Sequence, residues 1–146
     1  MTIRPATTED YALIVDIWLQ GSRLAHDFIP YEFWQARAMD MQKLYLPGAE
    51  TYVGVDNGEV RGFLSLMGDH VAALFVRTER QRRGIGSQLL AHAKGSRNAL
   101  SVCVYTRNEG ARRFYEAAGF EGLEQRLEPE SGEQELLMGW ARGMSG

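Results

Sequence analysis

The apolar run Val71–Val76 constrains this chain more than any other segment, because it leads directly into a loop rich in arginine and glycine. Arg77-Thr78-Glu79-Arg80-Gln81-Arg82-Arg83 comes next, then Gly84-Ile85-Gly86-Ser87, with Leu89 and Leu90 continuing a helical stripe. A short continuous apolar run between polar segments reads as a strand buried on both faces. The strand therefore enters a loop, and paired glycines open a helix. Glycine there permits φ > 0 and lets backbone N–H groups come close to a ligand. Those amides sit at the positive end of the helix dipole, which favours phosphate. Neighbouring arginines add charge-assisted bonds. A tight strand-to-helix turn with solvated arginines is the plainer reading of the same residues.

The arginines run against the charge of the whole chain. Its 146 residues carry 16 basic and 19 acidic side chains, a net charge of −3. Only Lys43 and Lys94 are lysines, yet Arg77, Arg80, Arg82 and Arg83 fall within seven positions. A net negative charge gives no general attraction to nucleic acid or to an anionic membrane, so neither is expected as a partner. Val71–Val76 is too short to span a bilayer. Met1-Thr2-Ile3-Arg4-Pro5 has neither a signal h-region nor a lipidation motif. Cys103, the single cysteine, cannot form an intramolecular disulfide or a multi-cysteine zinc site. With 45% hydrophobic and 24% charged residues, the chain is expected to form one ordered cytoplasmic domain over residues 1–146, without a metal, as a monomer or homodimer.

Two helices should lead. Thr8, Glu9 and Asp10 look like a cap with an acidic first turn, and Leu13, Ile14, Ile17, Trp18 and Leu24 recur at helical spacing. Phe33, Trp34, Met41, Leu44 and Tyr45 predict a second helix over Tyr31 to Leu46, stopped by Pro47-Gly48. The middle is β: Asp56-Asn57-Gly58-Glu59 between apolar runs is a strong hairpin signal. After Val71–Val76 come a helix from about Gly84 to Arg97, a strand from Leu100 to Tyr105 and a helix from Asn108 to Ala118, with Gly119 as C-cap. A last hairpin turns around Ser131-Gly132. This order predicts an α/β (α+β) fold, one mixed sheet with helices packed on it.

Two phosphate motifs fail. A P-loop needs Lys-Ser or Lys-Thr after its last glycine, and Ser87-Gln88 follows Gly86. A dinucleotide fingerprint needs a third glycine where Leu89 stands. Gln81-Arg82-Arg83-Gly84-Ile85-Gly86 instead resembles the Q/R-x-x-G-x-G/A signature of the GNAT superfamily of N-acetyltransferases. Asn108-Glu109-Gly110-Ala111-Arg112-Arg113-Phe114-Tyr115-Glu116-Ala117-Ala118-Gly119-Phe120 is similar to that family's N-x-x-A-x-x-F-Y-x-x-x-G-F motif. Ile17-Trp18, Ala25-His26-Asp27-Phe28-Ile29 and His70 further resemble the small bacterial YjaB-like branch.

The resemblance implies a mostly antiparallel central sheet flanked by about four helices, and acetyl-CoA as cosubstrate. It implies that backbone groups of Leu74, Phe75 and Val76 pair with the pantetheine arm as an added strand. Amides of Arg82, Arg83, Gly84, Ile85, Gly86 and Ser87 would hold the pyrophosphate, with Gln81 alongside, and Asn108 would contact the pantetheine side. Tyr115 would protonate the leaving thiolate of coenzyme A while a small-molecule or peptide amine attacks the thioester directly. A core tyrosine is the plainer reading of Tyr115.

No base stands out. Cys103 occupies the position of the glutamate used by ribosomal-protein acetyltransferases, and Val71–Val76 has no carboxylate, so His26 and His70 remain as candidates. His92 is expected at the surface. Cys103, between Val102 and Val104, reads as inert packing. Trp18, Phe28, Tyr31, Phe33 and Trp34 are divided between core and an acceptor pocket. The rival readings are a noncatalytic acyl-CoA-binding sensor of the same fold and a nucleic-acid binder using the arginines.

Overall fold

The computed structural model describes residues 1–77 and 84–143. Seven strands form one sheet: β1 (Thr2–Pro5), β2 (Glu50–Asp56), β3 (Glu59–Met67), β4 (His70–Val76), β5 (Ala99–Tyr105), β6 (Glu121–Leu127) and β7 (Gln134–Ala141). Their order is β1-β2-β3-β4-β5-β7-β6, antiparallel throughout except for β4 beside β5. Helix α1 (Tyr11–Ala25) is followed by α2 (Tyr31–Gln35). Three short turns continue the chain: α3 (Ala38–Asp40), a π turn over Met41–Tyr45 and α4 (Leu46–Gly48). Helix α5 (Ile85–Gly95) links β4 to β5, and α6 (Glu109–Ala117) links β5 to β6.

The expected second helix, Tyr31 to Leu46, is thus interrupted once, at Ala36 and Arg37, and then runs on from Ala38 through the π turn to Gly48. Pro47 and Gly48 lie in the last turn of that run, which ends there as expected, Ala49 being extended. The expected cap also shifts by one residue. Thr7 is the N-cap, and its N–H donates to the Asp10 carboxylate at 2.8 Å. Arg4 of β1 binds both oxygens of that carboxylate, at 2.8 and 3.0 Å.

Two cores lie on opposite faces of the sheet. Leu64, Leu66 and Val71 pack with Leu89, Leu90 and Phe120 under α5 and α6. Phe63 and Val53 pack with Ile14, Ile17 and Leu46 under α1 and the turns after it. Strand β3, buried from Val60 to Leu66, is the strand covered on both faces. Val71–Val76 does not hold that place, contrary to expectation: only Val71 is buried there, and Ala72 is exposed. Ser65 pairs with Ala73 but Leu66 with Val71, so Ala72 bulges out of the ladder, and beyond it β4 no longer pairs with β5.

The Arg4 hydrogen bonds pull the Asp10 carboxyl from 3.8 to about 2, against the opposing effect of burial. A folded-state value below the unfolded one means a contribution fully present above pH ~4. It is lost as pH falls towards 2. Asp10→Asn should therefore destabilise the protein at pH 6–7, and chemical denaturation of the two proteins should converge as pH falls from 4 to 2.

Candidate active site

Strands β4 and β5 are paired at two positions only, His70 with Ser101 and Val71 with Val102. By contrast, β4 stays paired with β3 as far as Val76 opposite Gly62. Beyond Val71 the β5-facing edge of β4 therefore has no strand partner, and a cleft of about 710 Å³ opens there. Leu74, Phe75 and Val76 line it, as do Gly84, Gly86 and Ser87 at the start of α5. Ile85 differs: its side chain is buried in the core, so only its backbone is available. Gln81, Arg82 and Arg83 lie outside the described residues.

Gly84 is the N-cap of α5 with φ +71°, a conformation that strains any residue with a Cβ. Gly86 is less restricted, since a Cβ there would meet Phe114 and Val76 at an ordinary 3.6 Å. Gly21 on α1 is the tighter site: a Cβ would fall 2.4 Å from the Phe75 ring. Its bare backbone lets α1 approach the cleft wall.

Tyr115 reaches the cleft from α6 and is 6% exposed, with its ring against Phe114 and Phe120. Its hydroxyl makes no hydrogen bond among the described residues. Burial pushes the phenol well above its usual range, so it is protonated at any physiological pH.

Asn108 joins the two halves of the cleft. Its Oδ1 accepts from Ala111 N–H at 3.1 Å, the N-cap bond of α6. That fixes the amide, leaving Nδ2 to donate to His26 Nε2 at 3.1 Å. Neutral His26 must then carry its proton on Nδ1, which is buried without a partner among the described residues. Phe28, Trp34, Phe75 and Tyr105 surround the ring. Burial drives its pKa down to about 4, so it is neutral near pH 7.

His70 lies at the other end of the cleft, with Nδ1 2.8 Å from Ser101 Oγ. Its pKa is lowered, mainly by burial. His92 is exposed as expected and packs against Tyr52. Cys103 does not sit in the core beside Val102 and Val104. Strand alternation turns it to the opposite face, half-buried in the cleft wall, where Arg126 Nη2 donates to its Sγ at 3.2 Å. Burial raises the thiol pKa, so it remains a poor nucleophile.

Of the aromatics, Trp18 and Trp34 line the cleft edge to face, and Phe28 covers Tyr105 and His26. Tyr31 and Phe33 instead lie under Arg23 and Arg37. Tyr105 and Glu135, paired across β5 and β7, complete the cleft and do not stand out in the sequence. Alternation along Ser101, Cys103 and Tyr105 is the available signal for the first; Glu135 needs the strand register.

Asn108→Ala should remove both the cap and the His26 contact. We expect a loss of about 1–2 kcal/mol in denaturant unfolding. In the wild type, NMR titration of His26 should show no protonation above pH ~5. As its folded pKa is the lower one, this histidine contributes stability fully above pH ~6.5 and progressively less as pH falls towards 4.

Residues 47–122 match the family model for the acetyltransferase (GNAT) domain. The chain is 31% identical over 139 residues to the peptidyl-lysine N-acetyltransferase YiaC of Escherichia coli, covering 94% of this chain and 95% of YiaC. It is 31% identical over 121 residues to the peptidyl-lysine N-acetyltransferase YjaB of the same organism, covering 82% of each. The solution structure of apo YjaB superposes with a TM-score of 0.84 at 27% identity, over 95% of this chain and 96% of that one. YncA of Salmonella typhimurium, solved with its cofactor acetyl-CoA, shares the fold at 20% identity and a TM-score of 0.66, over 100% of this chain and 95% of that one. Motifs, cleft and relatives agree: the chain belongs to the GNAT superfamily and is an acetyl-CoA-dependent N-acetyltransferase.

Proposed function

We propose that the protein transfers the acetyl group of acetyl-CoA to the ε-amine of lysine side chains in peptides or proteins. The acceptor class is carried over from YiaC and YjaB, both named for that activity. The observation that carries the reading is a single cleft bounded by the unpaired β4 edge on one side and Tyr115 on another.

In this reading the pantetheine arm adds to β4 along Leu74, Phe75 and Val76, supplying the strand that β5 does not. Among the described residues, amides from Gly84 to Ser87 hold the pyrophosphate. Gly84 fits this role because only glycine readily takes its backbone angle. Asn108 acts by fixing the cleft, since both ends of its amide are engaged within the protein.

The amine nitrogen attacks the thioester carbonyl carbon. A backbone N–H of β4, freed where the strand leaves β5, stabilises the oxyanion. The C–S bond then breaks and Tyr115 gives its proton to the departing thiolate. A phenol that stays protonated in the cleft suits that task. The nitrogen's own proton goes to His70 Nε2, directly or through water, in the tautomer whose Nδ1–H donates to Ser101. His26 is not assigned this role, because its Nε2 lone pair is already engaged.

Thiol release from acetyl-CoA with a panel of lysine peptides tests the reading. Turnover should be readily detected, whereas binding of coenzyme A without turnover on any amine would favour the sensor alternative. Tyr115→Phe keeps the ring packing, so stability and acetyl-CoA KM should barely change while kcat falls about 10²-fold. A wild-type rate with chemistry limiting would remove Tyr115 from the mechanism.

A further inference from the structure

We propose that the Glu135 carboxylate is the anchor for the acceptor's ammonium group, which makes the cleft selective for cationic amines on a slender apolar stem. The inference rests on the acetyl-transfer reading and adds the residue that recognises the acceptor. Among the described residues lining the cleft, Glu135 is the only carboxylate, and no lysine or arginine lines it. Its side chain is 16% exposed, enough for contact and little enough for its charge to act in a poorly solvated setting.

The sheet register fixes where that charge points. Arg126, Glu135 and Tyr105 stand in one row across β6, β7 and β5. Arg126 Nε donates to Glu135 Oε1 at 3.1 Å, while Oε2 has no hydrogen-bond partner among the described residues. Arg126 also donates to Cys103, so one guanidinium holds both neighbours of the cleft wall in place. An ammonium group can take the second oxygen without displacing the first bond.

The surroundings of Glu135 suit the rest of such an acceptor. The Tyr105 ring lies 5.0 Å from His26 and 5.7 Å from Phe28, giving an apolar wall for methylene groups. The two histidines of the cleft are neutral near pH 7 and do not oppose a cation there. Glu135 acts electrostatically on both His70 and Cys103. The acceptor is recognised as an ammonium, loses one proton to bulk water to give the neutral amine that attacks, and passes the second to His70.

The probes are two N-acetylated, C-amidated peptides, identical except that one carries lysine and the other norleucine. With the wild type, the norleucine peptide should inhibit at least tenfold more weakly than the lysine peptide's KM predicts. Glu135→Gln should raise the lysine-peptide KM about 10–100-fold, the range for a hydrogen bond to a charged group. It should also abolish the discrimination against norleucine. Acetyl-CoA KM and the thermal shift with coenzyme A should be unchanged, which confirms folding, and Glu135→Asp should recover part of the loss. An unchanged lysine-peptide KM and undiminished discrimination in folded Glu135→Gln would overturn the anchor while leaving acetyl transfer intact. Should the wild type acetylate no peptide, calorimetric binding of the lysine peptide to the coenzyme A complex decides. Loss of binding in Glu135→Gln supports the anchor, and equal or absent binding in both proteins rejects it.

Discussion

The bulge at Ala72 is the constraint on which the cleft depends. Below it, Val71 is still held by β5 and buried in the core. Above it, β4 remains bonded to β3 but leaves β5 altogether. An extra residue in one strand bends that strand and increases its twist. Here the bend points β4 away from a neighbour that is itself fixed along its whole length by β7. The unsatisfied edge that results would be costly inside a protein. Facing a solvent-filled cleft, it can be satisfied by water until an extended ligand arrives. At the far end of β4 the two strands come close opposite Gly62, where a Cβ would lie 2.9 Å from the Phe75 carbonyl oxygen.

A second constraint ties the walls together. Helix α6 comes from the late half of the chain and α1 from the start, yet Asn108 connects them through His26, 82 residues away. The same side chain caps α6, so one amide links the helix that carries Tyr115 to the aromatic rings packed round His26. A neutral imidazole suits this position. A charged His26 would need a buried counter-ion, and the rings of Phe28, Trp34, Phe75 and Tyr105 supply none.

The two helix starts that flank the cleft were legible in the sequence because their signals are local. A glycine that must adopt φ > 0, a helix cap and a tyrosine beside a phenylalanine occupy fixed offsets within one element. The strand and helix order could be read for the same reason. The features that could not be read depend on pairing between distant segments. Composition makes Val71–Val76 look like the most buried strand, but its burial is decided by whether β5 stays beside it. Likewise the single break at Ala36 and Arg37 and the π turn after it accompany the burial of Trp34, Met41 and Leu46 in the core, which the helical spacing alone does not reveal.

Glu135 shows the same limit at the level of chemistry. In the sequence it is one of several glutamates in a charged hairpin, with nothing to set it apart. Its distinction comes from register: β7 puts it opposite Tyr105, and β6 puts Arg126 opposite it. Shifting β7 by one residue against β5 would turn the carboxylate to the other face of the sheet, where α5 and α6 cover the apolar core and an unpaired charge would be strongly unfavourable. Shifting β6 against β7 would take Arg126 away from it. The apolar residues of β7 enforce the register, since Leu136, Met138 and Trp140 must all face that core. The placement of Glu135 on one face of the sheet is thus held by hydrophobic packing on the other.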